Sequence, residues 1–265
     1  MTFDLLSCRF RLSARRIIRF PPGQAGNVVR GALGTILRQV TCAEDYARIF
    51  EPAFAGAGPS GLADWPRPFV IRAASLDGQT LKPGAPFSFG LNLFNIRDPA
   101  LDHLTRAFAQ WAEVVAVEQA PVAVSLDAGR APVSRICVEF QTPTELKTAA
   151  GAGNAEFPVL LARARDRLST LRGLYGAGPL EIDFRGLAER ARSVKTVRCE
   201  LRHVAVERRS SRTGQRHGIG GFIGIAEYEG DLAEFVPYLK AAYWTGVGRH
   251  CTWGNGQIQT AILNS

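Results

Sequence analysis

Apolar and polar residues alternate along several short segments, and alternation with a period of two predicts β-strands. In residues 4–12, apolar side chains such as Phe10 and Leu12 occupy one face, and serine and arginine occupy the other. The same criterion predicts further strands near residues 69–71, 86–94, 120–126, 135–142, 194–207, 219–229 and 256–262.

Apolar residues repeat every three to four positions in four longer segments, which predicts amphipathic helices. These segments span residues 26–40, 100–117, 156–175 and 231–244. The second helix extends to residue 117 because Val115 continues the register of Phe108 and Trp111. Turn sequences rich in proline, glycine and aspartate separate the elements.

The order of the predicted elements is βαββαβ, and it occurs twice along the chain. This is the ferredoxin-like (RRM-like) pattern, in which two helices cover one face of a four-stranded antiparallel sheet. The sequence therefore predicts an α+β protein of two tandem ferredoxin-like domains, residues 1–130 and 131–265. Such a sheet leaves one face free, and single-stranded RNA-binding proteins of this shape use that face or its rim.

The composition is that of a globular protein, because 46% of the 265 residues are hydrophobic and 21% are charged. This excludes a disordered chain. No apolar run approaches the roughly 20 residues of a transmembrane helix, and the N-terminus lacks the features of a signal peptide. The five cysteines form no C-x-x-C pair, which disfavours a disulfide framework or a zinc ribbon. We therefore expect a cytoplasmic protein without membrane contact.

Positive charge is concentrated in two segments of the chain. Overall there are 32 basic and 24 acidic residues. Residues 1–40 contain seven arginines and one acidic residue, and residues 190–216 contain nine basic and two acidic residues. The remainder has more acidic than basic residues. Concentrated arginine on an otherwise acidic protein favours a polyanionic partner, because the guanidinium group can donate two parallel hydrogen bonds to phosphate.

The most specific motif is Gly-Val-Gly-Arg-His-Cys-Thr-Trp-Gly-Asn-Gly at residues 246–256, which places two Gly-x-Gly pairs around Arg249 and His250. Glycine lets the backbone adopt positive φ and approach a phosphate closely, and successive N–H groups can form an anion-binding nest. The glycines predicted to bind phosphate are Gly246, Gly248, Gly254 and Gly256. The alternative is a glycine-rich turn that only reverses the chain.

This segment resembles the C-terminal glycine-rich loop of the RAMP superfamily of CRISPR-associated proteins, and most closely that of its repeat-cleaving endoribonucleases. Further matching segments lie at residues 29–34, 42–52, 68–71, 140–143, 210–212 and 220–224. The resemblance implies two ferredoxin-like domains and an RNase that needs no metal or other cofactor and often stays bound to its product. The implied partner is a CRISPR repeat RNA stem-loop, with other CRISPR effector subunits as further candidates.

The first helix departs from that family's pattern. Family members commonly carry a catalytic histidine in or just after this helix, whereas residues 26–52 contain none. Asn27, Arg30 and Arg38 occupy one face of the helix instead. Gly34 lies between them and is expected to leave room for backbone or phosphate. We expect Arg30 and Arg38 to hold the scissile phosphate against the glycine-rich segment; the alternative is a solvated helix edge.

The second basic segment, residues 207–218, lies between two predicted strands and is therefore a hairpin loop. Its arginines and hydroxyl groups suit the phosphate backbone or a groove of an RNA hairpin. The residues predicted to bind RNA are Arg208, Arg209, Ser210, Arg212 and Arg216, together with Arg249 of the glycine-rich segment. The alternative is an exposed loop with ordinary solvated charge.

The reaction implied by the resemblance is attack of the substrate's own 2′-OH on the adjacent phosphate, which gives a 2′,3′-cyclic phosphate and a 5′-OH. The protein has to orient the RNA, transfer protons and stabilise the phosphorane. Arginine stays protonated and is a poor base, so the candidate proton-transfer groups are Tyr46, His217 and His250; otherwise the rate rests on positioning alone. Of the other histidines, His203 is expected in the core and His103 in solvent.

A non-catalytic RNA-binding subunit of a CRISPR effector complex is the alternative function, and the missing helix histidine favours it. The two-domain pattern and the likeness beyond the glycine-rich segment favour the endoribonuclease. A generic RRM-like RNA binder is disfavoured, because the polar faces of segments 8–12, 136–140 and 256–262 lack the aromatic residues that stack on bases.

Overall fold

The computed structural model describes residues 1–53, 65–148, 151–153, 155–209 and 216–263. Two four-stranded antiparallel sheets form its frame, and the main elements of each follow the order βαββαβ. The chain is therefore an α+β protein with two tandem ferredoxin-like units, as the hydrophobic pattern predicts.

The N-terminal unit is built around the long strand β1. Its elements are β1 (Thr2–Ser13), β2 (Ile18–Arg19), α1 (Ala25–Val40), α2 (Ala43–Phe50), β3 (Phe69–Arg72), β4 (Thr80–Leu81), β5 (Pro86–Leu93), α3 (Leu101–Trp111) and β6 (Glu113–Ser125). The main sheet has the order β3-β5-β1-β6, and β2 pairs with β4. Alternation along β1 buries Cys8, Phe10 and Leu12 in the N-terminal core.

The C-terminal unit repeats this topology. Its elements are β7 (Arg135–Thr144), β8 (Leu146–Thr148), β9 (Gly151–Gly153), α4 (Phe157–Tyr175), α5 (Phe184–Ala191), β10 (Lys195–Val204), β11 (Glu207–Arg209), β12 (Arg216–Gly218), β13 (Gly221–Glu229), α6 (Val236–Thr245) and β14 (Ile258–Ile262). The main sheet has the order β10-β13-β7-β14, while β8 pairs with β9 and β11 with β12.

Each unit has an apolar core, and the second core also takes in residues of the first sheet. In the N-terminal core, the rings of Phe10, Phe89 and Phe108 lie 4.8–5.6 Å apart. Phe3 and Leu5 have the opposite parity in β1 and pack in the C-terminal core with residues of α4 and α6. The helices α4 and α6 therefore contact the first sheet as well as their own, and this burial of apolar surface joins the units.

Helix α3 ends at Trp111, so the predicted helix over residues 100–117 is wrong in its last third. The chain becomes extended at Ala112, and β6 begins at Glu113. Val115 thus lies in a strand, where 63% of its surface is exposed. Its position fits the helical register, but the run of valines around it favours a strand, and pairing with β1 decides between the two.

Smaller differences concern helix starts and one histidine. The helices α2 and α5 are absent from the sequence prediction, and α6 begins at Val236 instead of residue 231, because turns precede it. His203 is exposed, which contradicts its predicted core position, since it lies on the edge strand β10. His103 is partly exposed, with Nε2 3.6 Å from Oδ2 of Asp45.

The connection between the two sheets packs against the C-terminal core through Leu126 and Val133, both buried. A division into domains at residue 130 stays a prediction. In the part of the chain that the structure describes, no helix is both long and apolar enough to span a bilayer.

Candidate active site

The glycine-rich loop, residues 246–256, follows α6 and packs closely on its own unit. Its four paired glycines all have φ between +69° and +86°. A Cβ atom on Gly248 would lie 2.3 Å from the carbonyl oxygen of Glu145, and one on Gly256 would lie 2.1 Å from that of Val247. Positive φ and close backbone approach both require glycine here.

The amide groups of this loop are engaged within the protein. Carbonyl oxygens accept hydrogen bonds of 2.8–3.0 Å from Gly246, Gly254 and Gly256, and these oxygens belong to Ala242, Cys251 and Pro143. The sequence interpretation of an anion-binding nest is therefore wrong for these three amides. Contact of the glycine positions with RNA stays a prediction.

The loop also packs against the first turn of α1, in the other unit. A Cβ atom on Gly26 would lie 2.3 Å from the carbonyl oxygen of Trp253 and 2.8 Å from the Cα atom of Gly254. Just after the loop, the buried side chain of Gln257 donates to the carbonyl oxygen of Ile71 in β3 at 3.3 Å. Backbone contact between glycines thus fixes the loop over α1.

One face of α1 presents glycine and arginine in turn, at a spacing of four residues. The members of this row are Gly26, Arg30, Gly34 and Arg38. Residues four apart lie above one another on a helix. The Cζ atom of Arg30 lies 4.7 Å from the ring centroid of Phe50 and 5.2 Å from that of Trp253, and the side chain is only 7% exposed. The guanidinium group therefore contacts both α2 and the glycine-rich loop as a cation on aromatic faces.

Gly34 accommodates the aromatic ring that Arg30 contacts. A Cβ atom at this position would lie 2.4 Å from the Cζ atom of Phe50. The ring of Phe50 therefore fills the space over Gly34, and the expectation that this space is open to backbone or phosphate is wrong.

Arg38 lies at the exposed end of the row, beside Tyr46 of α2. Its Cζ atom is 5.6 Å from the ring centroid of Tyr46, which is 5.6 Å from that of Phe50. Burial raises the pKa of the Tyr46 hydroxyl against the opposing effect of nearby arginines, so Tyr46 is a protonated hydrogen-bond donor at neutral pH. Arg30 and Arg38 are two helical turns apart, about 12 Å along the axis, and it is Arg30 that lies against the loop.

A third arginine joins this group from the segment before β3. Arg67 donates from Nε to the carbonyl oxygen of Phe50 at 2.6 Å, and its Cζ atom lies 5.2 Å from the Phe50 ring centroid. We define the arginine–aromatic cluster as Arg30, Arg38, Tyr46, Phe50, Arg67 and Trp253. Sequence reasoning missed Phe50, Arg67 and Trp253, although two of them lie in the matching segments. Asn27 is half-buried, one residue from the Gly26 contact.

His250 occupies an unusual position in the glycine-rich loop. Its φ of +61° is uncommon for a residue with a side chain. Its ring stacks on Trp253, with centroids 4.6 Å apart and an interplanar angle of 6°. Its Nε2 atom lies 3.7 Å from Oε2 of Glu145, and Nη1 of Arg249 lies 2.9 Å from the other carboxylate oxygen. The predicted proton-transfer residue thus has a carboxylate on one side and the arginine–aromatic cluster on the other.

The N-terminus of α1 is capped by a carboxylate from another segment. The N–H group of Ala25 donates to Oδ1 of Asp77 at 2.8 Å. Burial raises the pKa of Asp77, and backbone hydrogen bonds counteract this. Within the described ranges, no three histidine, cysteine, aspartate or glutamate side chains are grouped to hold a metal ion.

Side chains from three elements bind the C-terminal carbonyl groups of α6. The donor–acceptor pairs are Arg72 with Tyr243, Asn92 with Trp244, and Arg167 with Thr245. Carbonyl groups at a helix C-terminus lack intrahelical partners, and cations are favourable there. Because β3, β5 and α4 supply the donors, both units hold the chain where the glycine-rich loop starts.

The second basic segment forms a two-stranded hairpin, as the sequence predicts. In the backbone register of β11 and β12, the opposing pairs are Arg208 with His217 and Arg209 with Arg216. The predicted RNA-binding residues Ser210 and Arg212 lie outside the described residues. RNA binding by this hairpin stays a prediction.

The root of this hairpin lies beside the glycine-rich loop and the segment before α1. Asn255 of the loop donates from Nδ2 to the carbonyl oxygen of Ile219 at 2.6 Å. A Cβ atom on Gly23 would lie 3.0 Å from Cγ2 of Val206. The turn after β1 carries the exposed arginines Arg15 and Arg16, and the exposed Arg19 lies in β2. The two basic segments of the sequence therefore meet at the glycine-rich loop.

Two family models match the chain, one on each unit. A model described only as an N-terminal domain matches residues 3–124. The model of the CRISPR-associated endoribonuclease Cas6 matches residues 138–258. A comparison with curated proteins finds no match.

Solved structures of Cas6 proteins share the fold of the chain. A product complex of Thermus thermophilus Cas6 (TTHB231) has a TM-score of 0.64 at 16% identity, over 98% of this chain and 99% of that chain. A substrate mimic complex of Cas6 (TTHA0078) has a TM-score of 0.56 at 17% identity, over 98% and 100%. A partial Cas6-RT-Cas1–Cas2 complex has a TM-score of 0.63 at 13% identity, over 98% and 46%.

Proposed function

We propose that this chain, whose residues 138–258 match the model of the CRISPR-associated endoribonuclease Cas6, binds a CRISPR repeat RNA stem-loop and cleaves it to guide RNA. The observation that carries the proposal is the contact of the glycine-rich loop with α1. There Gly26 meets the loop backbone, and Arg30 contacts Trp253. The buried guanidinium group of Arg30 is thereby held where the glycine-rich loop meets α1.

The proposed reaction is a transesterification within the RNA. The 2′ oxygen attacks the adjacent phosphorus and loses its proton to a base, while the bond from phosphorus to O5′ breaks and O5′ gains a proton. A fixed cation stabilises the charge that develops on the phosphorane. Arg30 supplies this cation because guanidinium stays protonated in proteins. Tyr46 offers a hydroxyl donor on the same surface.

The RNA stem is proposed to bind the basic hairpin and its surroundings. The residues assigned to this contact are Asn27, Arg208, Arg209, Ser210, Arg212, Arg216 and Arg249, with His217 in the same hairpin. The hairpin root is bonded to the glycine-rich loop through Asn255, so a stem on the hairpin lies next to the proposed cleavage site. We place this activity in the cytoplasm, where thiols stay reduced.

Cleavage in the presence of a chelator tests the proposed chemistry. We expect the purified protein to cut a repeat stem-loop in excess EDTA and to leave a 2′,3′-cyclic phosphate, which mass spectrometry identifies. The matched control is the same RNA with a single 2′-deoxy nucleotide at the scissile position, which is expected to bind but not to be cut. A requirement for added metal, or cleavage of the 2′-deoxy RNA, contradicts the proposal.

The salt dependence of RNA binding tests the proposed role of the hairpin. Replacing Arg208, Arg209, Arg212 and Arg216 by alanine is expected to lower the slope of log K against log salt, by roughly 0.7–0.9 for each phosphate that the variant no longer neutralises. The control replaces four exposed arginines outside both basic segments, namely Arg97, Arg106, Arg130 and Arg185. Equal slopes for the two variants would remove the hairpin from the interface.

A non-catalytic guide-RNA-binding subunit of a CRISPR complex is the second candidate function. The absence of a histidine between residues 26 and 52 favours it. It predicts the same salt-dependent binding, but no cleavage of any repeat RNA with or without metal. The chelator experiment therefore separates the two candidates.

A further inference from the structure

We propose that Glu145 positions the imidazole of His250, and that His250 is the general base that takes the proton from the attacking 2′-OH. The inference rests on the proposed endoribonuclease function. It assigns the general base to the glycine-rich loop, because α1 contains no histidine. Glu145 lies between β7 and β8, whereas His250 lies in the glycine-rich loop. The loop thus brings an imidazole to a carboxylate, with Nε2 3.7 Å from Oε2.

Backbone contacts hold the two residues together independently of their side chains. The N–H group of Arg249 donates to the carbonyl oxygen of Glu145 at 3.1 Å. The same oxygen would lie 2.3 Å from a Cβ atom on Gly248, so only glycine allows this approach. A change confined to the carboxylate of Glu145 therefore leaves the loop in place, and its effect reports on the imidazole.

The backbone of His250 is itself strained. A positive φ costs a residue with a side chain about 1 kcal/mol or more, and such conformations concentrate at functional sites. Here the strained backbone places the imidazole flat on Trp253, and Arg30 contacts the same indole at 5.2 Å. The proposed base is thus one side chain away from the cation assigned to the phosphate.

The carboxylate also decides which nitrogen of the imidazole acts. A carboxylate beside Nε2 favours a proton on that nitrogen and leaves Nδ1 as the base. In the step, Nδ1 accepts the proton of the 2′-OH, the bond from O2′ to phosphorus forms, and the bond from phosphorus to O5′ breaks. O5′ takes a proton from water, and the imidazolium later returns its proton to water.

Several charged groups surround His250, and they act in opposite directions. Glu145 stabilises the imidazolium by Coulomb attraction, whereas Arg249 and Arg30 oppose it. The neighbouring thiol of Cys251 stays neutral, because burial raises its pKa. Removing the carboxylate alone therefore leaves the imidazole beside Arg249, with Arg30 on the indole against which the imidazole stacks, and the imidazole becomes harder to protonate.

Single-turnover cleavage across the pH range tests the inference with three variants. His250→Ala is expected to slow cleavage by roughly 10²–10⁴-fold, the usual contribution of a general base. Glu145→Gln is expected to slow it by about 10–100-fold and to move the acidic limb of the pH–rate profile to lower pH. RNA affinity should stay equal or rise, because a negative charge is removed. The matched control, Glu139→Gln in the preceding strand β7, should behave like wild type.

The outcomes separate this inference from the proposed function. If wild type cleaves but Glu145→Gln keeps the wild-type rate and pH profile, or His250→Ala cleaves normally, the inference is overturned and the endoribonuclease stands. If wild type cuts no repeat RNA, the proposed function fails first. An NMR titration gives a readout besides cleavage: the imidazole should titrate at lower pH in folded Glu145→Gln than in wild type, and identical titrations refute the coupling.

Discussion

The first long helix of each ferredoxin-like unit has the same place in the topology, yet α1 and α4 serve different purposes. Both bury an apolar stripe against their own sheet. On another face, α1 carries the row of glycines and arginines that contacts α2 and the glycine-rich loop. By contrast, α4 also packs against the first sheet, so its apolar residues join the two units.

The arginines of the two helices show the same contrast. In α4, Arg163, Arg167 and Arg172 donate to backbone carbonyl groups of Lys147, Thr245 and Thr2. In α1, Arg30 and Arg38 lie over aromatic rings instead. Charge in a helix does not by itself identify a binding surface, because a guanidinium group that caps a carbonyl stabilises the fold. The two units share a fold, and whether α1 or α4 contributes to a site depends on the groups that the helix contacts.

The largest expected effect on stability lies in α4. Leu168 is 1% exposed in the core that joins the units, and Leu168→Ala should lower the free energy of unfolding by about 2–5 kcal/mol. Denaturant unfolding measures this change. Below the unfolding transition, single-turnover cleavage should match wild type, and slower cleavage by the folded variant would show that α4 contributes to the site.

The largest expected effect on cleavage lies in α1. Arg30→Met keeps the length of the side chain and removes the charge, and should slow single-turnover cleavage by about a hundredfold, which corresponds to roughly 3 kcal/mol of transition-state stabilisation. Arg172→Met is the matched variant in α4. It should lower stability and leave the rate of the folded protein unchanged. Equal rates for both variants would contradict the different roles assigned to the two helices.

A smaller effect is expected where α1 meets the loop. Gly26→Ala places a methyl group against backbone atoms of Trp253 and Gly254, so it should cost about 1–3 kcal/mol of stability and slow cleavage by displacing the loop. Gly31→Ala on the same helix is the control, since a Cβ atom there meets nothing within 4 Å. It should raise stability by about 0.5–1 kcal/mol through helix propensity. Thermal unfolding of both variants measures the difference.

Local patterns in the sequence account for most of the fold. The alternation in β1 and the apolar stripe of α1 each belong to one segment, and both are confirmed by the structure. The predicted helix over residues 100–117 is wrong at its C-terminal end, because the valines there fit both the helical and the strand pattern. Only pairing with β1, which lies far away in the chain, resolves that conflict in favour of β6.

The site was harder to predict because its contacts cross the units. Arg30 stands out in the sequence, but the rings of Phe50 and Trp253 that it contacts come from α2 and the glycine-rich loop. His250 stands out as well, whereas Glu145 gives no signal until the loop folds onto the end of β7. The arginine–aromatic cluster and the Glu145–His250 pair are each formed by contacts between different segments. The residues of any one segment therefore do not reveal them.

The smallest effect is expected at the exposed end of the α1 row, and it tests whether this row continues as an RNA-binding surface. Arg38 contacts only the ring of Tyr46 among the interactions described for it, and an exposed cation–π contact contributes about 0.5–1 kcal/mol. Arg38→Ala should therefore change cleavage by a few-fold at most, unlike Arg30→Met.

If Arg38 binds a phosphate, the variant should also lower the slope of log K against log salt by about one. Filter binding at several salt concentrations measures this slope, with Arg185→Ala in α5 as a control of equal charge. An unchanged slope would limit the RNA-binding part of α1 to the turns around Arg30, and a hundredfold loss of cleavage would show that both arginines act on the scissile phosphate.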